Sequence, residues 1–209
     1  MTLVIALVFC STGILAASAE SSSTNILNEI DMLSIIEGDL ETPEGDEIKG
    51  PFTLDEIAKE MATIEGISVK DALQKLSSGN DKIEPSGVSD YYTYTRSVTV
   101  TSTYKPKLVF YCNIVRVDIQ PIIFLKIEHA SLNRSYNSTS KQFAGHIYYN
   151  LENNTRFYYE LNGDFYNNGT TTYTGGASVN VGEYATINFS VSSSSNFYKY
   201  CYDSGRIYI

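Results

Sequence analysis

Tryptophan is absent from this chain of 209 residues, histidine occurs twice and cysteine three times. Each scarcity closes off a class of function. With only His129 and His146 present, a Ser-His or Cys-His mechanism has two candidate bases at most. No C-x-x-C or H-x-x-x-H spacing occurs, so the usual zinc patterns are excluded. Also missing are a G-x-S-x-G elbow, an H-E-x-x-H pair, a phosphate-binding glycine loop, a dinucleotide fingerprint and a calcium loop. No metal and no cofactor is expected. His129 follows Glu128 at the end of an apolar stretch, where a lone histidine is ordinarily a satisfied or surface residue. The chain reads as non-enzymatic.

Basic residues are also scarce, 15 Lys and Arg against 24 Asp and Glu, for a net charge of −9. Nucleic-acid binding needs lysine and arginine to replace condensed counterions, so that class of partner is excluded. The charge is unevenly spread. Residues 20–90 hold 17 acidic residues and 5 lysines, whereas 91–209 hold 7 acidic and 10 basic ones. Tyrosine obeys the same boundary, since all 17 tyrosines lie between Tyr91 and Tyr208. Two compositions in one chain imply two physical regimes.

Long apolar runs are confined to the start. Residues 1–19 are apolar or small and end in Ala17-Ser18-Ala19, the pattern of a secretory signal peptide cleaved after Ala19. No second apolar stretch of about 18 residues follows, so no transmembrane span is expected once the leader is removed. Export leaves Cys112 and Cys201, and an oxidising destination predicts one disulfide between them. The protein is expected to be secreted, or held at the cell envelope.

Residues 20–50 are acidic, without aromatics, and read as a largely disordered arm. Residues 51–89 read as a helical hairpin and linker. Thr53 with Glu56 forms a capping-box signature, and Leu54, Ile57, Ala58, Met61 and Ile64 share one helical face. Gly66 stops this helix, Ser68 caps a second, and Gly79-Asn80 ends it. The hairpin is too acidic to enter a DNA groove and is expected to dock or to act as a spacer.

From residue 90 onward the hydrophobic period is two, and 90–209 is predicted to be a tyrosine-rich domain. Val98, Val100 and Tyr104 suggest a half-buried strand, 107–119 and 121–129 two more apolar ones. A hairpin is expected around Asn153-Asn154, with two-residue turns at Asn162-Gly163 and Asn168-Gly169. Further strands follow at 177–181, 185–191, 197–202 and 206–209. The prediction is a mainly β fold, an antiparallel β-sandwich of about eight to ten short strands behind a small acidic helical hairpin.

Adjacent tyrosines such as Tyr148-Tyr149 must point to opposite sheet faces, which leaves part of the tyrosine content outside the core. Strict alternation puts Tyr198, Tyr200 and Tyr202 on one face, opposite Phe197 and Cys201. These three are the candidate binding residues, for an extracellular protein or a glycan whose identity the sequence does not specify. A rival expectation is a secreted effector. Residues 170–195 alternate apolar and Ser/Thr positions across Gly182-Glu183, and so resemble the membrane-inserting hairpins of β-pore-forming toxins. A hydrolase is the weaker form of that rival.

Overall fold

A computed structural model describes residues 46–77, 89–117, 120–192 and 196–209. The predicted leader, most of the acidic arm and the Gly79-Asn80 stop lie outside the described residues.

The capping box forms as its spacing predicts. The Thr53 backbone donates to Glu56 Oε2 at 2.8 Å, and the Glu56 backbone donates to Thr53 Oγ1 at 3.3 Å. Helix α1 (Leu54–Glu65) ends at Gly66, whose φ of 69° lies in the left-handed region that glycine enters without cost. Ser68 Oγ accepts from the Asp71 backbone at 3.1 Å and starts α2 (Val69–Ser77). One face of this hairpin buries Ile57, Ala58, Met61, Ala72 and Leu76. They pack on Val109 and Tyr111 of the sheet beneath.

That sheet has four antiparallel strands in the order β1 (Glu47–Phe52), β2 (Ser89–Ser97), β3 (Lys107–Val117) and β4 (Gln120–Asn133). Strand β1 corrects the sequence reading. Residues 47–50 were expected in the disordered arm, yet Glu47, Ile48 and Lys49 pair with Thr95, Tyr94 and Thr93. Ile48 packs on the central core, and Asp46 accepts from the Tyr94 hydroxyl at 2.6 Å. A single apolar residue and one buried acceptor outweigh the charged composition. The sheet therefore crosses the boundary drawn at residue 90.

The second sheet has five antiparallel strands in the order β11 (Phe197–Tyr208), β8 (Arg156–Tyr166), β7 (Gln142–Asn153), β10 (Tyr184–Ser192) and β9 (Thr170–Gly175). A two-stranded ribbon, β5 (Ser135–Tyr136) with β6 (Thr139–Ser140), precedes it. The two large sheets pack face to face through aromatics. The rings of Phe110 and Phe157 lie 4.8 Å apart, and those of Phe124 and Phe157 5.2 Å apart, each edge to face. The fold is thus the predicted mainly β sandwich with a helical hairpin ahead of its tyrosine-rich strands. In layers it runs hairpin, four-stranded sheet, five-stranded sheet.

Four local predictions fail for physical reasons. Val98, Val100 and Tyr104 are buried, but they belong to a turn closed by a Thr101–Tyr104 bridge, not to a strand. Asn162-Gly163 is not a turn. Gly163 sits within β8 opposite Gly145, and the Phe143 ring lies over both, so glycine here serves close approach instead of positive φ. Strand β10 pairs with β9, Ile187 opposite Gly175, and not with residues 177–181 across Gly182. Residues 177–181 cross instead to the other sheet, where Val179 bridges Ile127.

Cys112 and Cys201 are both free, in place of the expected disulfide. Cys112 points into the core from β3 of one sheet, and Cys201 from β11 at the edge of the other. Both are packed in the apolar core. Burial pushes the Cys201 thiol up to about 11 and raises that of Cys112 further.

Candidate functional site

Each large sheet has one face in the shared core. The outer face of the four-stranded sheet is covered by the hairpin, through Val109 and Tyr111. The outer face of the five-stranded sheet carries no such layer among the described residues. Register fixes its composition. His146 pairs with Asn162 and Asn188, Tyr148 with Glu160 and Thr186, Asn150 with Tyr158 and Tyr184. Their neighbours one residue along, Ile147, Tyr149, Phe157, Tyr159, Leu161 and Ile187, are fully buried. Adjacent tyrosines divide between the faces as their chain spacing demands. Tyr149 and Tyr159 build the core, whereas Tyr148 and Tyr158 face outward.

The outward rings form a platform. Tyr148 lies 6.1 Å from Tyr158 and 5.7 Å from Tyr184, which is 68 % exposed. Beside them His146, Tyr148, Tyr158, Glu160, Thr186 and Asn188 line an open hollow of about 340 Å³. His146 Nε2 stands 3.2 Å from Glu160 Oε1, and the Tyr202 hydroxyl donates to Glu160 Oε2 at 3.3 Å. Partial desolvation raises the pKa of the Tyr158 hydroxyl, opposed by a hydrogen bond with Ser204 and aided by one with Tyr202. A volume in the range of small-ligand clefts, flat rings and convergent donors and acceptors suit a ligand with apolar faces and polar edges.

Of the predicted site residues, Tyr200 and Tyr202 lie on this face and are half exposed, at 51 % and 52 %. Tyr200 donates to Asn162 Oδ1 at 3.1 Å. Tyr198 does not join them. Phe197 pairs with Tyr166 and Lys199 with Phe165, so Tyr198 is the extra residue of a β-bulge. It turns toward the core edge, where its ring meets Tyr104 at 5.9 Å and Lys141 Nζ lies 3.8 Å above it. Phe197 takes the outward place beside Tyr166. Sequence reasoning missed His146, Glu160, Thr186 and Asn188. Their alternation was visible, but which three strands lie side by side was not.

His129, the histidine first weighed as a catalyst, is only 4 % exposed beneath the hairpin. Its Nε2 lies 2.7 Å from Glu65 Oε1, which also accepts from Ser131 Oγ at 2.7 Å. Glu65 Oε2 accepts from Lys75 Nζ at 2.7 Å and from the Tyr173 hydroxyl. This knot ties the hairpin to β4 and β9 and offers substrate no access. Among the described residues, no group of three or more His, Cys, Asp or Glu is placed to hold a metal ion. No helix among them is long and apolar enough to cross a membrane.

No family model, no curated protein and no solved structure matches this chain.

Proposed function

We propose that the chain is a secreted or envelope-associated binding protein that recognises a glycan through the outer face of its five-stranded sheet. The apolar leader ending in Ala17-Ser18-Ala19 supports the location. The observation that carries the reading is the open hollow, in which tyrosine rings alternate with a carboxylate, an amide, a hydroxyl and an imidazole. Sugar rings offer flat C–H faces to an aromatic ring and hydroxyls that both donate and accept at their edges. Tyr148, Tyr158 and Tyr184 match the first, and Glu160, Asn188 and His146 the second. The role is binding, with no bond made or broken.

A protein ligand is the second form of this reading, favoured by the exposed rings of Tyr184, Tyr200 and Tyr202. The purified chain 20–209 should be applied to a glycan array and, in parallel, used to capture partners from cell envelopes. Retention of defined glycans supports the proposal. Capture of protein from deglycosylated envelopes, with no glycan retained, overturns it in favour of the protein form.

Membrane insertion by 170–195 has an obstacle in its own packing. Ala185 and Ile187 are buried in the sandwich, and the Tyr173 hydroxyl is tied to Glu65. Insertion would require both to be released.

A further inference from the structure

Sheet edges are pairing templates unless something blocks them, and three of the four edges of this sandwich are blocked or short. Strand β1 has six residues and a register break between Lys49 and Phe52, where Pro51 lacks an N–H. Strand β4 exchanges backbone hydrogen bonds from Ile127 with Val179, at 3.0 and 2.8 Å, and donates from Phe124 to Asn154. Strand β9 has six residues, with Tyr173 engaged by the hairpin residues Glu65 and Lys75. Strand β11 differs. It has twelve residues, no proline, and β8 as its single strand partner among the described residues. Among the described residues, four of the seven exposed large hydrophobic ones, Phe197, Tyr200, Tyr202 and Tyr208, sit on it.

Its open side can be identified residue by residue. The Ile209 backbone donates to Thr155 O at 3.1 Å, and the register with β8 is unbroken from Lys199 to Tyr208. Successive residues turn their backbone groups to opposite sides. Tyr200, Tyr202, Ser204, Arg206 and Tyr208 therefore aim N–H and C=O away from β8. Their side chains are also those on the outer face.

We propose that this edge pairs with a second copy of the chain, β11 antiparallel to β11 about a two-fold axis at Ser204. The stretch free of the Tyr198 bulge runs from Lys199 to Ile209, and Ser204 is its midpoint. In that register Tyr202 faces Arg206 of the partner and Tyr200 faces the partner's Tyr208, each twice by symmetry. The first is a cation–π pair and the second an aromatic pair. Asp203 faces Gly205 and Lys199 faces Ile209, so no like charges meet. Shifting the axis by one residue to Asp203 would set two carboxylates against each other. The self-complementarity of the sequence about Ser204 thus selects a second copy over an unrelated extended peptide.

Pairing turns two five-stranded sheets into one of ten strands, with both hollows on the same face. Strand spacing places them about 14–24 Å apart, close enough for one branched or repeating ligand to engage both. The proposal does not depend on that ligand being a glycan.

Sedimentation of the chain 20–209 over a concentration series tests it, with two variants. Ser204→Pro removes an N–H that faces the open edge and leaves the β8 ladder untouched. It should weaken the dimer at least about tenfold while the circular dichroism spectrum and melting temperature stay near those of the parent. Ser204→Cys should give a cross-linked dimer on mild oxidation, because directly opposed residues of a hydrogen-bonded pair lie about 5.5 Å apart at Cα, within disulfide reach. A chain monomeric at every concentration overturns the proposal, as does a dimer indifferent to Ser204→Pro. Should the proline variant not fold, the cysteine variant decides: a cross-linked dimer upholds the pairing and its absence refutes it.

Discussion

Glu65, the last residue of α1, and His129 of β4 meet at 2.7 Å with both side chains almost fully buried. A carboxylate at a helix C-terminus is disfavoured by the helix dipole, so its partners must more than compensate. They do. Burial works against ionisation of Glu65, but its bonds with His129, and then with Lys75 and Tyr173, outweigh that and hold its pKa at about 2.

The first prediction follows from that sign. A carboxylate whose folded pKa is depressed contributes stability that is complete above its unfolded value. The contribution is lost as pH falls toward the folded value. For Glu65 the window runs from about 4.5 down to about 2. Denaturant midpoints measured across that range should fall for the parent chain and fall less steeply for Glu65→Gln. At neutral pH Glu65→Ala should cost about 3 kcal/mol, because it leaves His129 and Ser131 buried without an acceptor. Equal slopes for parent and Gln variant would refute the linkage.

The hairpin and β1 are expected to be indispensable to the fold. A chain cut to residues 90–209 would lose an edge strand and uncover Val109 and Tyr111, both nearly inaccessible in the whole protein. Such a fragment should melt well below the parent or aggregate, which differential scanning calorimetry would show. A fragment with the parent's melting temperature would mean that the sandwich stands alone.

Two glycines separate space from conformation. An added methyl on Gly163 would stand 2.7 Å from Phe143 Cζ and from Gly145 Cα, so Gly163→Ala should cost about 3 kcal/mol. Gly182 has nothing within 4 Å of such a methyl but a φ of 85°. Gly182→Ala should therefore cost only about 1 kcal/mol, from backbone strain alone. Chemical denaturation of the two variants would rank them, and the reverse ranking would contradict the packing described.

On the outer face, Tyr148→Ala combined with Tyr158→Ala should abolish measurable ligand retention, costing at least about 2 kcal/mol of binding. Stability should change little, since neither ring enters the core. Tyr198→Ala should do the opposite, loosening the contact with Tyr104 and sparing the ligand. Calorimetric titration beside a thermal melt would distinguish the two variants.

The thiols supply a further check. Cys112 and Cys201 should resist alkylation in the native chain, as burial keeps them protonated, and two thiols should titrate once the protein is denatured. A denatured chain with no titratable thiol would restore the disulfide.

Much of the fold was legible because its signals are local. Thr53 with Glu56, Gly66 and Ser68 set the helix ends through contacts within four residues. Period-two runs set the long strands. What stayed hidden depends on neighbours far away in the chain. Asn162-Gly163 carries a turn signal, but Phe143 claims that glycine for packing. Tyr198, Tyr200 and Tyr202 alternate perfectly in the sequence, and one bulge, invisible there, turns Tyr198 away. The hollow needs His146, Tyr158, Thr186 and Asn188 from three strands side by side, an order that periodicity does not reveal.

The bond between Tyr173 and Glu65 joins residues 108 positions apart, and it sets an order of events. The hairpin is synthesised before any strand of the five-stranded sheet, yet its seat is not complete until β4 and β9 have been made and paired. Contacts of such sequence separation form slowly, because the intervening loop must close first. The helices that leave the ribosome early should therefore be the last layer to lock. Pulse-labelling of their amides during refolding, read against those of β7 and β8, would time that step.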